Sequence, residues 1–436
     1  MVETATAAPG VTAAYDREAV IARAAGEPDW LAQQRLAAWD VWAATPLPTT
    51  RQEEWRYTDP RQLKWDAVRL ADPAPGPAAA VGGVAREGSA AGRVIQAGGG
   101  LAAVELDAEL AERGVRLLDL RAAAIRYPEL VREHLGALAA PETGKFVALN
   151  SAFWSAGVLL HVPRGVRIER PIRIVRWVGE AGRAYFPRTL VVAGEGSHVA
   201  VVERYISPDF EKPVFSCGVV ELVAGAAADV HYVAMQQWGR GVRHLSTQRT
   251  VAGRDANLDT LVVNLGGSVA RIDLAAALRG PGSRSDMLGL YFGGGDQHFD
   301  HVTRQDHEVP YASSDLLYKG ALDGRSHAVF RGIIKVWPGA QRTDAYQTNR
   351  NLLLSRESEA TSLPNLEIEA DDVRCSHAAT VGHLDDEELF YIRSRGIPRR
   401  EAERLVVFGF FGEVIDRLPL PEVVEELRRA IETRIG

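Results

Sequence analysis

The sequence predicts a mainly β protein, with a parallel β-helix at its centre and α-helical regions on both sides. From about residue 157 to residue 354, short β-branched runs are separated by turns that contain glycine. The turn glycines recur every 27 to 31 residues, at positions 165, 194, 225, 253 and 280. A near-fixed period of this length is typical of stacked units that bury their apolar faces against one another. Both flanking regions instead show the apolar spacing of amphipathic helices.

The length of the period decides between repeat architectures. A propeller blade needs roughly 40–45 residues, so a coil-like solenoid fits better. The next turns, at Gly324 and Gly339, break the spacing, and we therefore expect irregular later coils. A β-sandwich remains the alternative.

The N-terminal region, residues 1–140, is predicted to be helical and to contain a connector rich in glycine, alanine and proline. The apolar residues of 15–44 recur at helical spacing and predict a helix there. The charged and aromatic stretch 51–63 is expected to be a packed surface segment. Residues 72–103 have the composition of a mobile connector or long loop, and 120–138 are predicted to be helical.

The β-helix core is predicted to cover residues 141–375, and a helical C-terminal region covers 376–436. Asp385 and Glu388 have the spacing of a capping box at the start of a helix. The next helix carries a broad apolar face that includes Phe410, Phe411, Val414 and Ile415. This surface must pack on the β body, on itself or on a partner, and both packing within the chain and partner binding remain open.

Composition narrows the class of protein. The 436 residues carry a net charge of −7 and 46% hydrophobic residues, as in a soluble globular protein that does not bind nucleic acid. The first ten residues lack the features of a secretory signal, and no apolar run is long enough to span a membrane. We therefore expect a cytoplasmic protein. Its two cysteines are poor candidates for a disulfide there.

The stretch 362–384 holds the strongest candidate for chemistry. Cys375 and His377 would stand on the same face of an extended strand, roughly 6.6 Å apart. A thiolate and an imidazole suit iron or zinc, but two ligands do not complete a four-coordinate site. The missing ligands would come from elsewhere in the fold or from another chain, and simple burial of Cys375 is the alternative.

Other candidates are weaker. Cys217 lies in a predicted strand and is expected to be a core cysteine. His298, His301 and His307 resemble a metal cluster, but the odd separation of the first two would point them to opposite faces of a strand. The sequence contains no P-loop, dinucleotide-binding fingerprint, nucleophile elbow or HExxH motif. We therefore do not expect an enzyme with a self-contained active site.

These residues carry a resemblance to a known family. LPNLEIEADDVRCSHAATVGHLDDEELFYIRSRGIPRREAERLVV closely resembles the C-terminal core of the SufB/SufD family of the SUF iron–sulfur cluster assembly system. EEWRYTD, KFVALNSAFW, YKGALDGRSHAVFRGIIKV and DAYQTNRNLLLS are also similar to this family, so that the resemblance covers about residues 30–418. The ADDVRCSH and EEWRYTD versions favour its SufD branch over SufB.

The resemblance implies a right-handed parallel β-helix and a scaffold role in a complex with SufB and two copies of the ABC-type ATPase SufC. The ATPase would dock on the C-terminal helices, where we assign Phe410, Phe411, Val414 and Ile415 to partner binding. A transient iron or iron–sulfur cluster would form at the SufB–SufD junction, with none bound tightly by this chain alone. His377 is the ligand implied on this side, with Cys375 as a second candidate.

Three alternatives stay open. The chain could be a purely structural subunit that stabilises SufB and recruits SufC without binding metal. It could form a homodimer, or it could be a carbohydrate-active β-helix enzyme that uses a carboxylate pair. One departure from the family also bears on His377: Ala378 stands where relatives commonly have glycine, so a turn that needs positive φ would be altered.

Overall fold

The architecture is given by a computed structural model that describes residues 13–435. In chain order its α-helices are α1 (Arg17–Arg23), α2 (Asp29–Ala44), α3 (Ala108–Glu112), α4 (Leu120–Arg126), α5 (Pro128–His134), α6 (Lys145–Phe153), α7 (Asp386–Ser394), α8 (Arg399–Ile415) and α9 (Pro421–Ile435). The first ten residues, on which the prediction about a signal segment depends, lie outside the described residues.

Strands form most of the remainder. They are β1 (Arg69–Leu70), β2 (Gly92–Ala97), β3 (Gly100–Leu106), β4 (Arg116–Asp119), β5 (Gly157–Val162), β6 (Ile172–Trp177), β7 (Arg183–Tyr185), β8 (Arg188–Ala193), β9 (His198–Ile206), β10 (Val214–Ala224), β11 (Asp229–Gln237), β12 (Val242–Ala252), β13 (Asn257–Asn264), β14 (Val269–Leu278), β15 (Arg284–Gly293), β16 (His298–His307), β17 (Ser313–Leu322), β18 (His327–Val336), β19 (Asp344–Leu353), β20 (Glu359–Ile368) and β21 (Arg374–His383).

The strands form a parallel β-solenoid of about 8 turns. The first sheet has the order β20-β18-β16-β14-β12-β10-β8-β5-β4, and the second has the order β21-β19-β17-β15-β13-β11-β9-β6-β2-β3. The chain alternates between the two sheets, and only β2/β3 and β4/β5 pair antiparallel among the described strands. The predicted β-helix is therefore confirmed, and the antiparallel β-sandwich is excluded.

The prediction of irregular later coils was wrong. Along the second sheet, Arg284 pairs with Ser313, Ser313 with Asp344, and Asp344 with Arg374, each starting an unbroken ladder. The glycines at 324 and 339 have positive φ and lie in turns between strands. These later turns use different residues, but the strands between them stay in register.

Four of the five periodic glycines, all except Gly165, mark places where consecutive coils touch. A Cβ on Gly225 would lie 3.0 Å from Ala193 O, and one on Gly280 would lie 1.9 Å from Arg254 N. Both of these atoms belong to the backbone of the preceding coil, so a side chain is excluded at Gly280 and would be tightly packed at Gly225. The period read from the sequence is thus the number of residues in one coil.

The N-terminal region differs from its prediction in two ways. The helix expected over 15–44 is broken into α1 and α2 by a turn in which Gly26 has φ +79°. The stretch 72–103 is not simply a connector, because β2 pairs parallel with β6 and extends the second sheet. The stretch 120–138 is helical as predicted, divided into α4 and α5 before Pro128.

The N-terminal region covers the outer face of the first sheet. Trp42 and Phe153 share one buried cluster with Phe186 and Phe215, which belong to the sheet side of this contact. The segment 51–63 is attached by Thr58, whose hydroxyl donates to Asp300 Oδ2 at 2.6 Å. The expected packed surface segment is thus joined to the solenoid by a buried polar contact.

The C-terminal helices cover the outer face of the second sheet. Val407 and Leu427, from α8 and α9, pack with Val263 and Leu290 of the sheet. The strand β21 runs to His383, beyond the predicted domain boundary at 375/376, and the first C-terminal helix begins at Asp386. Among the residues described, no helix has both the length and the apolarity needed to cross a lipid bilayer.

Candidate functional site

The last coil of the solenoid is open on one side. The strands β20 and β21 end the two sheets, and neither pairs with a further strand among residues 13–435. Their residues are mostly exposed, whereas the strands β18 and β19 beneath them are mostly buried. The interior of the solenoid is therefore accessible to another molecule at this end.

Cys375 and His377 both belong to this open coil. In the ladder between β19 and β21, Ala345 pairs with Cys375 and Gln347 pairs with His377. Ala345 and Gln347 are buried inside the solenoid, and side chains in paired positions point to the same face. Cys375 and His377 thus face the interior of a coil that nothing in the described chain covers.

The two candidate ligands differ in their surroundings. Cys375 is half-buried and packs against the apolar end cluster that contains Ile334 and Val336. Burial and the charge of Asp344 raise the pKa of its thiol, against the smaller opposing effect of a backbone hydrogen bond from Ala345. The thiol is therefore poorly ionised in this state, which disfavours it as a metal ligand.

His377 is exposed and free to bind. It lies within β21, and the neighbouring side chains do not enclose its imidazole. Ala378 beside it is extended and does not have positive φ. The alanine at this position therefore does not impose the altered turn that the sequence comparison suggested, and His377 keeps the direction set by the strand.

The stretch 362–384 is not one continuous strand. The strand β20 ends at Ile368, and the chain turns through residues 369–373 before β21 begins in the other sheet. Glu367 and Glu369 both contact Lys335, with the Glu367 carboxylate 3.3 Å from the ammonium. These carboxylates are engaged in ion pairs at the surface.

No third ligand joins Cys375 and His377 within the described chain. Across residues 13–435, three or more ligand side chains come together only at His198, Asp229 and His231, on different strands. Sequence reasoning missed this group, because its members are joined by the coil repeat and not by local spacing. Placing the sequence on its own period would have found it, since His198 and Asp229 are partners in register.

The weaker candidates have structural roles. Cys217 is buried in the cluster that contains Phe186 and Phe215, and burial strongly raises the pKa of its thiol. His298 and His301 point to opposite faces, as predicted: His298 contacts Thr58, whereas His301 stacks on the buried ring of Tyr291 at 4.5 Å.

The apolar face of α8 is largely internal. Phe411, Val414 and Ile415 have no exposed surface and pack against the second sheet. Phe410 is partly buried, and its carbonyl accepts a hydrogen bond from Lys319 at 2.8 Å. Three of the four residues assigned to partner binding, Phe411, Val414 and Ile415, therefore belong to the chain's own core, and Phe410 packs at its margin.

A different apolar surface of the C-terminal region is exposed. Phe390 and Tyr391 of α7 are 73% and 61% exposed, and Leu405 of α8 is 45% exposed. We call these three residues the helical patch. These are the large apolar side chains that the described C-terminal helices expose.

Comparison with protein families gives two matches. The family described as "SUF system FeS cluster assembly, SufBD core domain" matches residues 176–410. The family described as "SufBD protein N-terminal region" matches residues 100–174. The two matches adjoin and include most of the solenoid.

Individual relatives carry the same description. The chain is 38% identical over 291 residues to an iron–sulfur cluster assembly SufBD family protein of Mycobacterium leprae, covering 65% of this chain and 72% of the relative. A Mycobacterium tuberculosis relative is 36% identical over 299 residues, covering 66% and 74%. A Staphylococcus epidermidis relative is 30% identical over 320 residues, covering 73% and 69%.

Proposed function

Because this chain belongs to the SufBD family of iron–sulfur cluster assembly proteins, we propose that it is a SufD-type scaffold subunit. In this proposal it pairs with a SufB-like paralogue at the open coil, recruits a SufC-like ATPase, and presents a ligand to the nascent cluster. The iron and sulfide are cargo, and no cluster is held tightly by this chain alone. The chain itself needs no catalytic activity.

The observation that carries the proposal is the exposed His377 on the inward face of an uncovered last coil. One imidazole can ligate iron but cannot hold a cluster, and a cargo site must release what it binds. A second chain that stacks on this coil would enclose His377 and bring the remaining ligands. Cys375 is the weaker candidate, because its thiol is half-buried and its pKa is raised.

The edge of β21 suits this pairing. It has a row of backbone groups without a neighbouring strand among the described residues, and Val381 of the same strand has an exposed side chain. Pro364 lies in β20, where its missing N–H limits pairing along that strand, but β21 contains no proline. An unprotected edge of this kind is a template for strand addition.

The ATPase is proposed to dock on the helical patch. Phe390, Tyr391 and Leu405 are exposed apolar side chains on helices that the solenoid holds in place through α8. Exposed aromatic residues of this kind are common anchors of protein interfaces. The buried residues Phe411, Val414 and Ile415 would support this surface from below without contacting the partner.

The central experiment compares two histidines of the same strand. His377→Ala is expected to lower cluster formation on the assembled complex by roughly 10-fold or more, as for loss of a group that tunes a metal site. Cluster formation is followed by visible absorption during reconstitution with iron and sulfide. His383→Ala is the matched control, because His383 is also exposed on β21 and shares the same face.

Measuring complex formation together with cluster formation separates this proposal from the alternative of a purely structural subunit. If His377→Ala forms the complex but not the cluster, while His383→Ala does both, the ligand role is supported. If both variants form clusters normally, the chain is a purely structural subunit, in which the half-buried Cys375 only packs against the apolar end cluster. Purification of the tagged chain with its paralogue and ATPase, or with a second copy of itself, distinguishes the complex from a homodimer.

A further inference from the structure

A second set of metal-ligating side chains lies on the outer face of the second sheet. His198 begins β9, and its partner in register on β11 is Asp229. His231 follows two residues later on β11, on the same face. Val199 and Val230, the alternating neighbours, point into the core. Five strand spacings separate β11 from β21, so this set lies roughly 24 Å from the open coil.

The three side chains converge. Nδ1 of His198 lies 2.8 Å from Oδ2 of Asp229, and Nε2 of His231 lies 3.3 Å from Oδ1 of the same carboxylate. All three ligand atoms lie within 4.8 Å of one another. Ligands around a tetrahedral zinc ion are about 3.4 Å apart, so small rotations of the side chains would enclose an ion.

A supporting layer surrounds them. Nδ1 of His231 faces Asp259, with Oδ2 of that carboxylate 3.3 Å away. Asn257 donates to both Asp229 and Asp259 at 3.0 Å, and the backbone N–H of Asp286 donates to Asp259 at 3.0 Å. A carboxylate behind a histidine is the usual arrangement around a metal, because it fixes the ring and its tautomer.

His231 is only 8% exposed, and its Nδ1 makes no well-formed hydrogen bond. Beside it, a cavity of about 20 Å³ is lined by Asp259, Asp286, Arg417 and Leu418, but not by His198 or Asp229. A cavity of this size holds a single water molecule. The cavity therefore lies beside the three ligands and not between them, and a water molecule there would complete the hydrogen bonding of His231, whose Nε2 faces Asp229.

The charges also favour a cation. In the part of the chain that the structure describes, neither Asp229 nor Asp259 pairs with an arginine or lysine. Their neighbour Asp286 is paired with Arg284 at 2.9 Å. The direct ion-pair contacts of these two carboxylates are thus with imidazoles, while Arg284 acts on Asp259 from farther away.

We propose that His198, Asp229 and His231 bind one divalent transition-metal ion, of the class of zinc or ferrous iron. Asp259 orients His231, and water takes the fourth position. Two imidazoles exclude calcium and magnesium as the preferred ions, since these take oxygen ligands. The site is separate from the open coil and does not depend on the proposed function.

Metal titration of the full chain tests this site. After treatment with chelator, the wild-type protein is titrated with Zn²⁺ by calorimetry and with Co²⁺ by absorption. We expect one equivalent to bind, and a cobalt spectrum with visible d–d bands but without a thiolate charge-transfer band. Asp229→Asn and His198→Asn should abolish binding, and Asp259→Asn should weaken it roughly 10- to 100-fold.

Two controls separate the site from other histidines and cysteines. Cys375→Ser/His377→Ala should retain full binding, as should His298→Gln, whose neighbour Asp300 is already compensated by Arg271. Absence of binding by the wild type would overturn the proposal, as would binding that survives Asp229→Asn or disappears in Cys375→Ser/His377→Ala. If Asp229→Asn fails to fold by circular dichroism, the wild-type cobalt spectrum decides, and a thiolate band there refutes the site.

Discussion

Histidine meets very different surroundings at different positions along this solenoid. His377 on the last coil is exposed, whereas His244 and His301 are almost completely buried in the middle coils. Burial lowers the pKa of His244 to about 3. Burial also lowers the pKa of His301 to about 4, although the charge of Asp300 acts in the opposite direction. The same residue type is thus a neutral packing element inside and an available ligand at the end.

The buried histidines predict a loss of stability in mild acid. An unfolded histidine has a pKa of about 6.5, above the folded values, so the unfolded chain takes up the extra protons as the pH falls. The free energy of unfolding should therefore decrease from pH 6.5 towards pH 4, by roughly 3 kcal/mol for a histidine shifted this far. The urea midpoint, measured across this pH range, reports the slope.

His244→Gln tests the assignment of that slope. The variant is less stable at neutral pH, but its stability should fall less steeply between pH 6.5 and pH 4. Ser216→Ala is the control, because it removes the hydroxyl that contacts His244 at 3.1 Å and no titrating group. A slope unchanged in His244→Gln would show that the acid sensitivity arises elsewhere.

At the residue scale, sequence reasoning placed Cys375 and His377 on one face correctly, because their separation of two holds in any strand. It could not say which face is internal, since that depends on the register with Ala345 and Gln347. Nor did it find His198 with Asp229 and His231, because local spacing does not join them and only alignment of the coils on their period does.

At the scale of elements, α8 shows how an apolar helix face acquires its role. The spacing of Phe411, Val414 and Ile415 predicts an amphipathic helix, but not what the face covers. The answer lies in β13 and β15, whose outward residues Leu261 and Leu290 are themselves apolar. A sheet that is apolar on both faces requires a cover, and α8 and α9 provide it.

Two phenylalanines of the C-terminal helices should therefore behave oppositely. Phe411→Ala is expected to destabilise the chain by about 3–5 kcal/mol, because it leaves a cavity in the core. Phe390→Ala should change stability by less than about 0.5 kcal/mol, since its ring is 73% exposed. Urea denaturation measures both.

Partner binding should show the reverse order. Phe390→Ala is expected to weaken capture of the ATPase in a pull-down, whereas a folded conservative variant, Phe411→Leu, should retain it. If Phe411→Leu lost capture of the ATPase while Phe390→Ala kept it, the docking surface would instead be the face of α8 that carries Phe411.

The edge of β21 gives a second test at this scale. The N–H of Arg374 donates to Thr343, and alternate residues of a parallel strand bond to opposite neighbours. The N–H of Ala379 therefore points to the open edge. Ala379→Pro should block strand addition by the paralogue while leaving the thermal midpoint nearly unchanged, because no ladder hydrogen bond is lost.

Ala379→Ser is the matched control, since it keeps the N–H and adds little volume. Size-exclusion chromatography of the mixed subunits measures pairing for both variants. Equal pairing by the proline and serine variants would mean that the paralogue does not add a strand to β21.

At the scale of the whole molecule, the two helical regions and the two sheets form consecutive layers around one solenoid interior. The glycine period predicted the solenoid because the backbones of consecutive coils approach closely at four of its five positions, where glycine fits best. The hairpin of β2 and β3 escaped prediction because Gly100 and its alanine-rich neighbours have the composition of a loop. Their pairing depends on β6, which is distant in sequence.

This layering predicts a gradient of local stability along the solenoid. The middle strands, such as β11 and β13, are paired on both edges and covered on both faces, so they should open only when the whole domain unfolds. The strand β21 is paired on one edge only and mostly exposed. Its amides that bond to β19 should exchange with deuterium on the order of 100-fold faster than those of β13.

Hydrogen exchange followed by mass spectrometry resolves these strands, and β19 supplies the internal comparison. It lies next to β21 but has neighbours on both edges and buried inward side chains. If burial and pairing set local stability, protection should rise sharply from β21 to β19, and the SufB-like paralogue should slow exchange selectively in β21. Equal protection in β21 and β19 of the isolated chain would mean that the last coil is stabilised by something other than its neighbours, and a paralogue that protects a different strand would place the junction away from His377.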